Sequence, residues 1–188
     1  MTLSSALTRG ILAALVLGIG TTVPSRAHAQ EQTQMQMQPQ MQMQMKGLQP
    51  GAMAPTAIVQ TLDGAPVDLS RFVGKTPVLI EFWATWCPLC RELEPTIKAI
   101  HDEHKGRLEV VRLVVPQNQT PEKAREYVAS HNLPGHFFFD AEGAAYKAFA
   151  AYHTSYVVVL DRHGKVVHSA DGPKQDLAKA VRKAIEVM

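Results

Sequence analysis

The stretch that decides the fold is Val78-Leu79-Ile80-Glu81-Phe82-Trp83-Ala84-Thr85-Trp86-Cys87-Pro88-Leu89-Cys90. Its first six residues are apolar apart from Glu81, the pattern of a strand buried on both faces of a sheet with parallel neighbours. A helix is predicted to follow, from about Cys87 to His104, ended by Gly106. The chain's two cysteines therefore fall where a buried strand gives way to a helix N-terminus. Unpaired backbone N–H groups and the helix dipole favour a thiolate there, bringing a thiol from about 8.5 to about 7 or lower. Cys87 is expected to be the exposed, attacking thiol. Cys90, one turn into the helix, is positioned to resolve a mixed disulfide on Cys87, so the pair can cycle between dithiol and disulfide.

Working outward, Thr56 to Thr61, Asp63-Gly64 and Val67 to Leu69 read as a β-hairpin ahead of that strand. Leu108 to Val115 reads as a second buried strand, and Thr120-Pro121 as an N-cap and first turn opening a helix to about His131. Strand, helix, strand, helix implies parallel pairing. The rest reads as a strand His136 to Asp140, a short helix near Ala144 to Phe149, and a strand Tyr156 to Leu160. A turn Asp161-Arg162-His163-Gly164, a strand Lys165 to His168 and a helix from about Lys174 to Glu186 complete the chain. Residues 48–188 are thus expected to form one α/β domain, with a mixed central sheet and helices on both faces.

Residues 1–29 have the form of a cleaved secretory signal: Arg9, an apolar run from Gly10 to Gly20, Pro24, then Ala27-His28-Ala29. Eleven apolar residues at about 1.5 Å each cover only about half of a roughly 30 Å bilayer core, so no stable membrane anchor is expected. Residues 30–47 are a low-complexity tether with Gln at every even position from 30 to 44 and Met at 35, 37, 41, 43 and 45. Such a segment cannot build a core. It reads as a spacer, or as a soft thioether capture site for Cu(I). The expected location of the mature chain is a bacterial periplasm, where disulfide chemistry is possible. The chain has 19 Lys+Arg against 17 Asp+Glu, and the excess is Arg9 and Arg26, both within the signal. That balance gives no reason to expect nucleic acid as a partner.

Two other uses of the cysteines compete less well. A structural disulfide across so short a loop restricts the unfolded chain little. A zinc site built with His101 and His104 would need ligands from Cys90 to His101 around one ion, yet eleven helical residues span about 16 Å. Glu81 lies on a strand buried on both faces, so its carboxyl should be desolvated, its pKa raised toward neutrality, and able to exchange a proton with Cys90.

The segment Phe82 to Cys90 resembles the active-site segment of the thioredoxin-like thiol–disulfide oxidoreductases, the exported TlpA/ResA group in particular. The N-terminal hairpin, Pro95 within the helix and Glu81 six residues before Cys87 are similar to features of that family. The resemblance, which covers about residues 50 to 188, implies a thioredoxin-like fold with a hairpin extension. It also implies a protein disulfide oxidoreductase, with reduction as the net direction. Cys87, Cys90 and Glu81 are its catalytic residues; Trp83, Trp86, Pro88, Leu89, Thr154 and Ser155 are its substrate contacts. The partners it implies are client proteins with disulfides, such as apocytochromes or copper-site assembly factors, and a membrane thiol donor of the DsbD type, with no cofactor. One departure is that Ser155 stands where the family has a cis-proline. A cis bond without proline costs about 3 kcal/mol, so a trans Thr154-Ser155 peptide is expected. His153 to Gly164 is similar to the histidine-bearing loop of Sco-type copper chaperones, which raises an alternative: a copper-binding protein using Cys87, Cys90, His153 and the Met-rich tether. A thiol peroxidase is disfavoured, because Ala84 stands where that family's Thr-x-x-Cys motif needs threonine.

Overall fold

The computed structural model describes residues 47–187; the signal and nearly all of the tether lie outside the described residues. The chain runs β1 (Ile58–Thr61), β2 (Pro66–Asp68), a 3-10 turn (Leu69–Arg71), β3 (Val78–Trp83), α1 (Pro88–Glu103), β4 (Glu109–Val114) and α2 (Pro121–His131). It continues with β5 (His136–Phe139), α3 (Ala144–Ala148), β6 (Val157–Leu160), β7 (Val166–Ala170) and α4 (Leu177–Glu186). The seven strands form one mixed sheet in the order β2-β1-β5-β4-β3-β6-β7. β3, β4 and β5 pair in parallel, and the remaining contacts are antiparallel. The predicted hairpin joins the sheet through β1, which pairs with β5.

Alternation along β3 divides the core. Leu79 packs with Val110, Val157 and Val159 under the apolar stripe of α1 (Leu93, Ile97, Ile100) and under Leu177 and Val181 of α4. Ile80 and Phe82 point to the other face, where Ala145 of α3, Phe149 and Tyr156 cover them. The Phe82 ring meets Tyr146, Phe149 and Tyr156 at 5.8–5.9 Å between centroids.

The predicted elements are present, with ends set by caps and pairing. Thr120 caps α2 by accepting from the Lys123 N–H, as its position before Pro121 implies. The last helix starts at Leu177 rather than Lys174 because Asp176 accepts the Lys179 N–H at 3.0 Å. β7 runs on to Ala170 because Ser169 and Ala170 stay in register with Val158 and Val157. Gly47, the first described residue, is buried, and a Cβ there would collide with the Tyr156 hydroxyl. The same hydroxyl accepts the Leu48 N–H at 2.8 Å.

Gly135 makes the entry to β5 possible. Its φ is +100°, and a Cβ would lie 2.6 Å from the Val110 carbonyl oxygen. Gly135→Ala is expected to lower stability by about 2 kcal/mol, measured by urea unfolding, because both the conformation and the approach to β4 are denied to alanine.

Candidate active site at a helix start

β3 ends at Trp83, whose carbonyl accepts the Val115 N–H at 3.0 Å, and the chain turns through Ala84-Thr85-Trp86 into α1. Cys87 is the N-cap of that helix and Pro88 follows it. Cys87 Sγ accepts the Cys90 N–H at 3.0 Å and is joined to Cys90 in a disulfide. The sulfur thus takes up one of the N–H groups that a helix start leaves without a backbone partner.

The turn is held from outside by a buried glutamine. Gln119 Oε1 accepts the Thr85 N–H at 3.0 Å while its amide donates to the Val115 carbonyl. Trp86 is tied down by its indole N–H, which donates to the Gln117 carbonyl at 2.7 Å, and Arg91 donates to the Thr85 carbonyl. Trp86, Val115, Gln117, Tyr146, Tyr152, His153 and Thr154 line an open groove of about 430 Å³, which reaches the active-site turn at Trp86.

Glu81 is fully buried on the α1 face of the sheet, opposite Arg112 in the β3–β4 register. Arg112 is also fully buried, and its Nε lies 3.4 Å from Glu81 Oε2. Neither group has a hydrogen-bond partner of good geometry, and the Arg112 guanidinium sits over the Phe137 ring at 5.4 Å. Burial pushes the Glu81 carboxyl up to about 7; the Arg112 charge opposes that shift and the nearby Glu94 charge adds to it.

The Redoxin family model matches residues 49–185. The chain belongs to that family. It is similar to the thiol-disulfide oxidoreductase YkuV of Bacillus subtilis, 29% identical over 109 residues, which cover 56% of this chain and 74% of that protein. It is 26% identical over 136 residues to the thiol-disulfide oxidoreductase ResA of Bacillus thuringiensis, covering 71% of this chain and 77% of ResA. The crystal structure of a putative thiol:disulfide interchange protein DsbE from Chlorobium tepidum superposes with a TM-score of 0.63 at 25% identity, covering 73% of this chain and 99% of that one. This redoxin is a thioredoxin-like thiol–disulfide oxidoreductase of the ResA/TlpA group, with the Cys87–Cys90 pair as its redox centre.

The structure corrects several expectations for this redoxin's site residues. Cys87 is not exposed: it keeps 1% of its surface and Cys90 none, because the disulfide folds both sulfurs against the first helical turn. Trp86 and Leu89, 43% and 41% exposed, are the large side chains that face outward, together with Pro88. Trp83 cannot touch a client. It shares the face of Glu81 and is sealed against Tyr127 and Phe137, at 5.4 and 5.6 Å. Ser155 is fully buried and its N–H donates to the Phe82 carbonyl at 2.7 Å, so it extends the sheet ladder rather than offering a docking group. Thr154, half-buried, does face the groove. There is no cis peptide among the described residues, and Ser155 instead adopts a left-handed φ of +68°. His153 is exposed on the groove, its ring against Tyr152. The described residues contain no cluster of three His, Cys, Asp or Glu able to hold a metal ion, so Cys87, Cys90 and His153 are not brought together as ligands.

Two positioning residues were missed by the sequence reading. Arg112 had left a signal, a lone cation inside Val110-Val111-Arg112-Leu113-Val114. Gln119 had left none, since its bond to Thr85 spans 34 residues.

Gln119→Ala would strand the Thr85 N–H and the Val115 carbonyl. It is expected to cost about 2 kcal/mol of stability in urea unfolding and to speed reduction of the disulfide by dithiothreitol. Glu81 gives a pH signature. Its folded pKa, about 7, lies above the 4.5 of the free side chain. Between those values the folded protein holds a proton that the unfolded chain has released, so unfolding free energy falls as pH rises through that window. The fall should be on the order of 3 kcal/mol, flattened in Glu81→Gln when urea midpoints at pH 5 and pH 8 are compared.

Proposed function

We propose that this redoxin is exported and reduces disulfides in client proteins. The observation that carries the reading is the Cys87–Cys90 disulfide set on the first turn of α1. In the dithiol state the N-terminal turn stabilises Cys87 as the thiolate. That thiolate attacks one sulfur of a client disulfide, forming a Cys87–client bond and expelling a client thiolate. Cys90 then gives its proton to Glu81 and attacks Cys87 Sγ, restoring the internal disulfide and releasing the second client thiolate. The client gains two electrons and the cysteine pair loses two. A donor dithiol returns them by the same exchange run on Cys87, and no other redox group is required.

Several features support the roles. Trp86, Pro88 and Leu89 are exposed around the buried sulfurs and are the first side chains a client meets, with Thr154 and the aromatic groove next to them. Glu81, held near neutrality beneath α1, has a pKa matched to accepting a thiol proton and giving it up again. Export rests on the form of residues 1–29, and no helix among the described residues is long and apolar enough to cross a membrane. In that setting a membrane thiol carrier of the DsbD type is the donor, and apocytochromes or copper-site assembly factors are the clients.

Cys87→Ser is expected to abolish reduction of insulin by the mature protein. Cys90→Ala keeps the attack but not the resolution, so it accumulates a covalent mixed disulfide visible by mass spectrometry. Insulin reduction that survives in Cys87→Ser would overturn the assignment.

A further inference from the structure

The thioethers of residues 35–45 have no part in the exchange cycle, and the groove that reaches Trp86 is used there only by a client. We propose that Met41-Gln42-Met43-Gln44-Met45 of the same chain, a segment just outside the described residues, lies in that groove and must be displaced by a client. The effect on clients rests on the groove's place in client binding given above; the docking itself does not.

The direction in which the chain leaves the described residues brings the segment to the groove. β7 is the last strand of the sheet, and the chain ahead of β1 runs antiparallel along its edge. The Ala54 N–H donates to the Gly164 carbonyl at 2.9 Å, the Val166 N–H to the Ala52 carbonyl at 2.9 Å and the Gly51 N–H to the Val166 carbonyl at 2.8 Å. Closer to the N-terminus, the Leu48 N–H donates to the Tyr156 hydroxyl, which is itself 2.8 Å from Ser169 Oγ. Followed backward from Ala54 to Leu48, the chain thus climbs β7 from Gly164 to Ser169. β7 is antiparallel to β6, and β6 to β3, so β7 rises toward the end of the sheet where β3 leads to Cys87. The tether therefore leaves at the active-site end.

At that end the groove is close. Gly47 lies against the Tyr156 ring, whose centroid is 5.2 Å from that of Tyr152. Tyr152 is a wall of the groove, and its hydroxyl donates to Asp171, just past the end of β7, at 3.0 Å. One ring thus separates the root of the tether from the groove. At about 3.3 Å per extended residue, Met45 reaches about 7 Å from Gly47 and Met41 about 20 Å. The chemistry also matches. In an extended chain Met41, Met43 and Met45 share one face and Gln42 and Gln44 the other. Thioethers pack favourably against aromatic rings, and Trp86, Tyr146 and Tyr152 supply three. Gln117 and Thr154 offer polar partners for amides. No Lys, Arg, Asp or Glu lines the groove among the described residues, and residues 32–45 carry none either. A segment tethered this closely is present at an effective concentration on the order of millimolar, which favours it over the same segment of a second copy.

The test labels the methionine methyls of the mature protein with carbon-13 and reads them by NMR, with insulin reduction measured on the same samples. The Met41, Met43 and Met45 methyls should be displaced upfield by the aromatic rings. They should return to the position of a solvated methionine in Tyr152→Leu, whose fold circular dichroism checks. Met41→Gln, Met43→Gln and Met45→Gln together should lower the KM for insulin about threefold with kcat unchanged, as for a segment that fills the groove about two-thirds of the time. Displacement that grows with protein concentration puts a second copy's segment in the groove and overturns the assignment. Solvated methyl positions with an unchanged KM overturn it as well, while insulin reduction that still requires Cys87 leaves the redox reading standing. Displaced methyls with a KM indifferent to the three substitutions keep the docking and remove clients from the groove.

Discussion

The structure turns on a strand that runs directly into a helix, with a sulfur at the junction. The Cys90 N–H needs an acceptor, as every N–H of a first helical turn does, and Cys87 Sγ supplies it. Much else follows from keeping that junction in place. β3 is central and pairs on both sides, the Trp83 carbonyl is fixed by Val115, and Gln119 holds the Thr85 backbone from the neighbouring loop. A helix start delivered by a loose loop would offer the same dipole without a defined sulfur position, and the exchange chemistry depends on position as well as charge.

Beneath the junction the protein keeps charge where an apolar core would serve stability as well or better. Desolvating Glu81 and Arg112 costs several kcal/mol each before their attraction offsets any of it. Their contact, 3.4 Å and without good hydrogen-bond geometry, is not one optimised for strength. What the pair provides is a carboxyl whose proton is held weakly enough to move near neutral pH. A Glu alone on that strand would stay protonated to higher pH; a Glu tightly paired with Arg112 would stay ionised. The presence of Glu94 on the roofing helix shifts the balance between those limits.

The loop facing the helix start solves a backbone problem in its own way. Ser155 takes a left-handed conformation, bonds its N–H to Phe82 and accepts the Gly172 N–H on Oγ at 3.3 Å. Serine tolerates that conformation better than a branched residue because its side chain is short and finds a local partner. The loop is therefore tied into the sheet at Ser155 and open to the groove at Tyr152, His153 and Thr154. The side chains left exposed at this site are the aromatic walls of the groove and Trp86 and Leu89.

The order of strands and helices, the hairpin, the helix start under the cysteines and the buried carboxyl on β3 were all written in the sequence. Each comes from interactions among near neighbours: an apolar run, a Pro after a cap, a charge interrupting a strand. The exposure of Cys87, Trp83 and Ser155 could not be read that way. Burial of a side chain is set by what other segments lay over it: α2 and β5 over Trp83, the Phe82 carbonyl beside Ser155, the disulfide drawn onto its own helix. The partnership of Arg112 with Glu81 likewise depends on the parallel register of β3 and β4, which brings together residues 31 positions apart (81 and 112). Local residue chemistry determined the elements and the redox pair, and long-range packing alone decided which atoms of that chemistry a partner can reach.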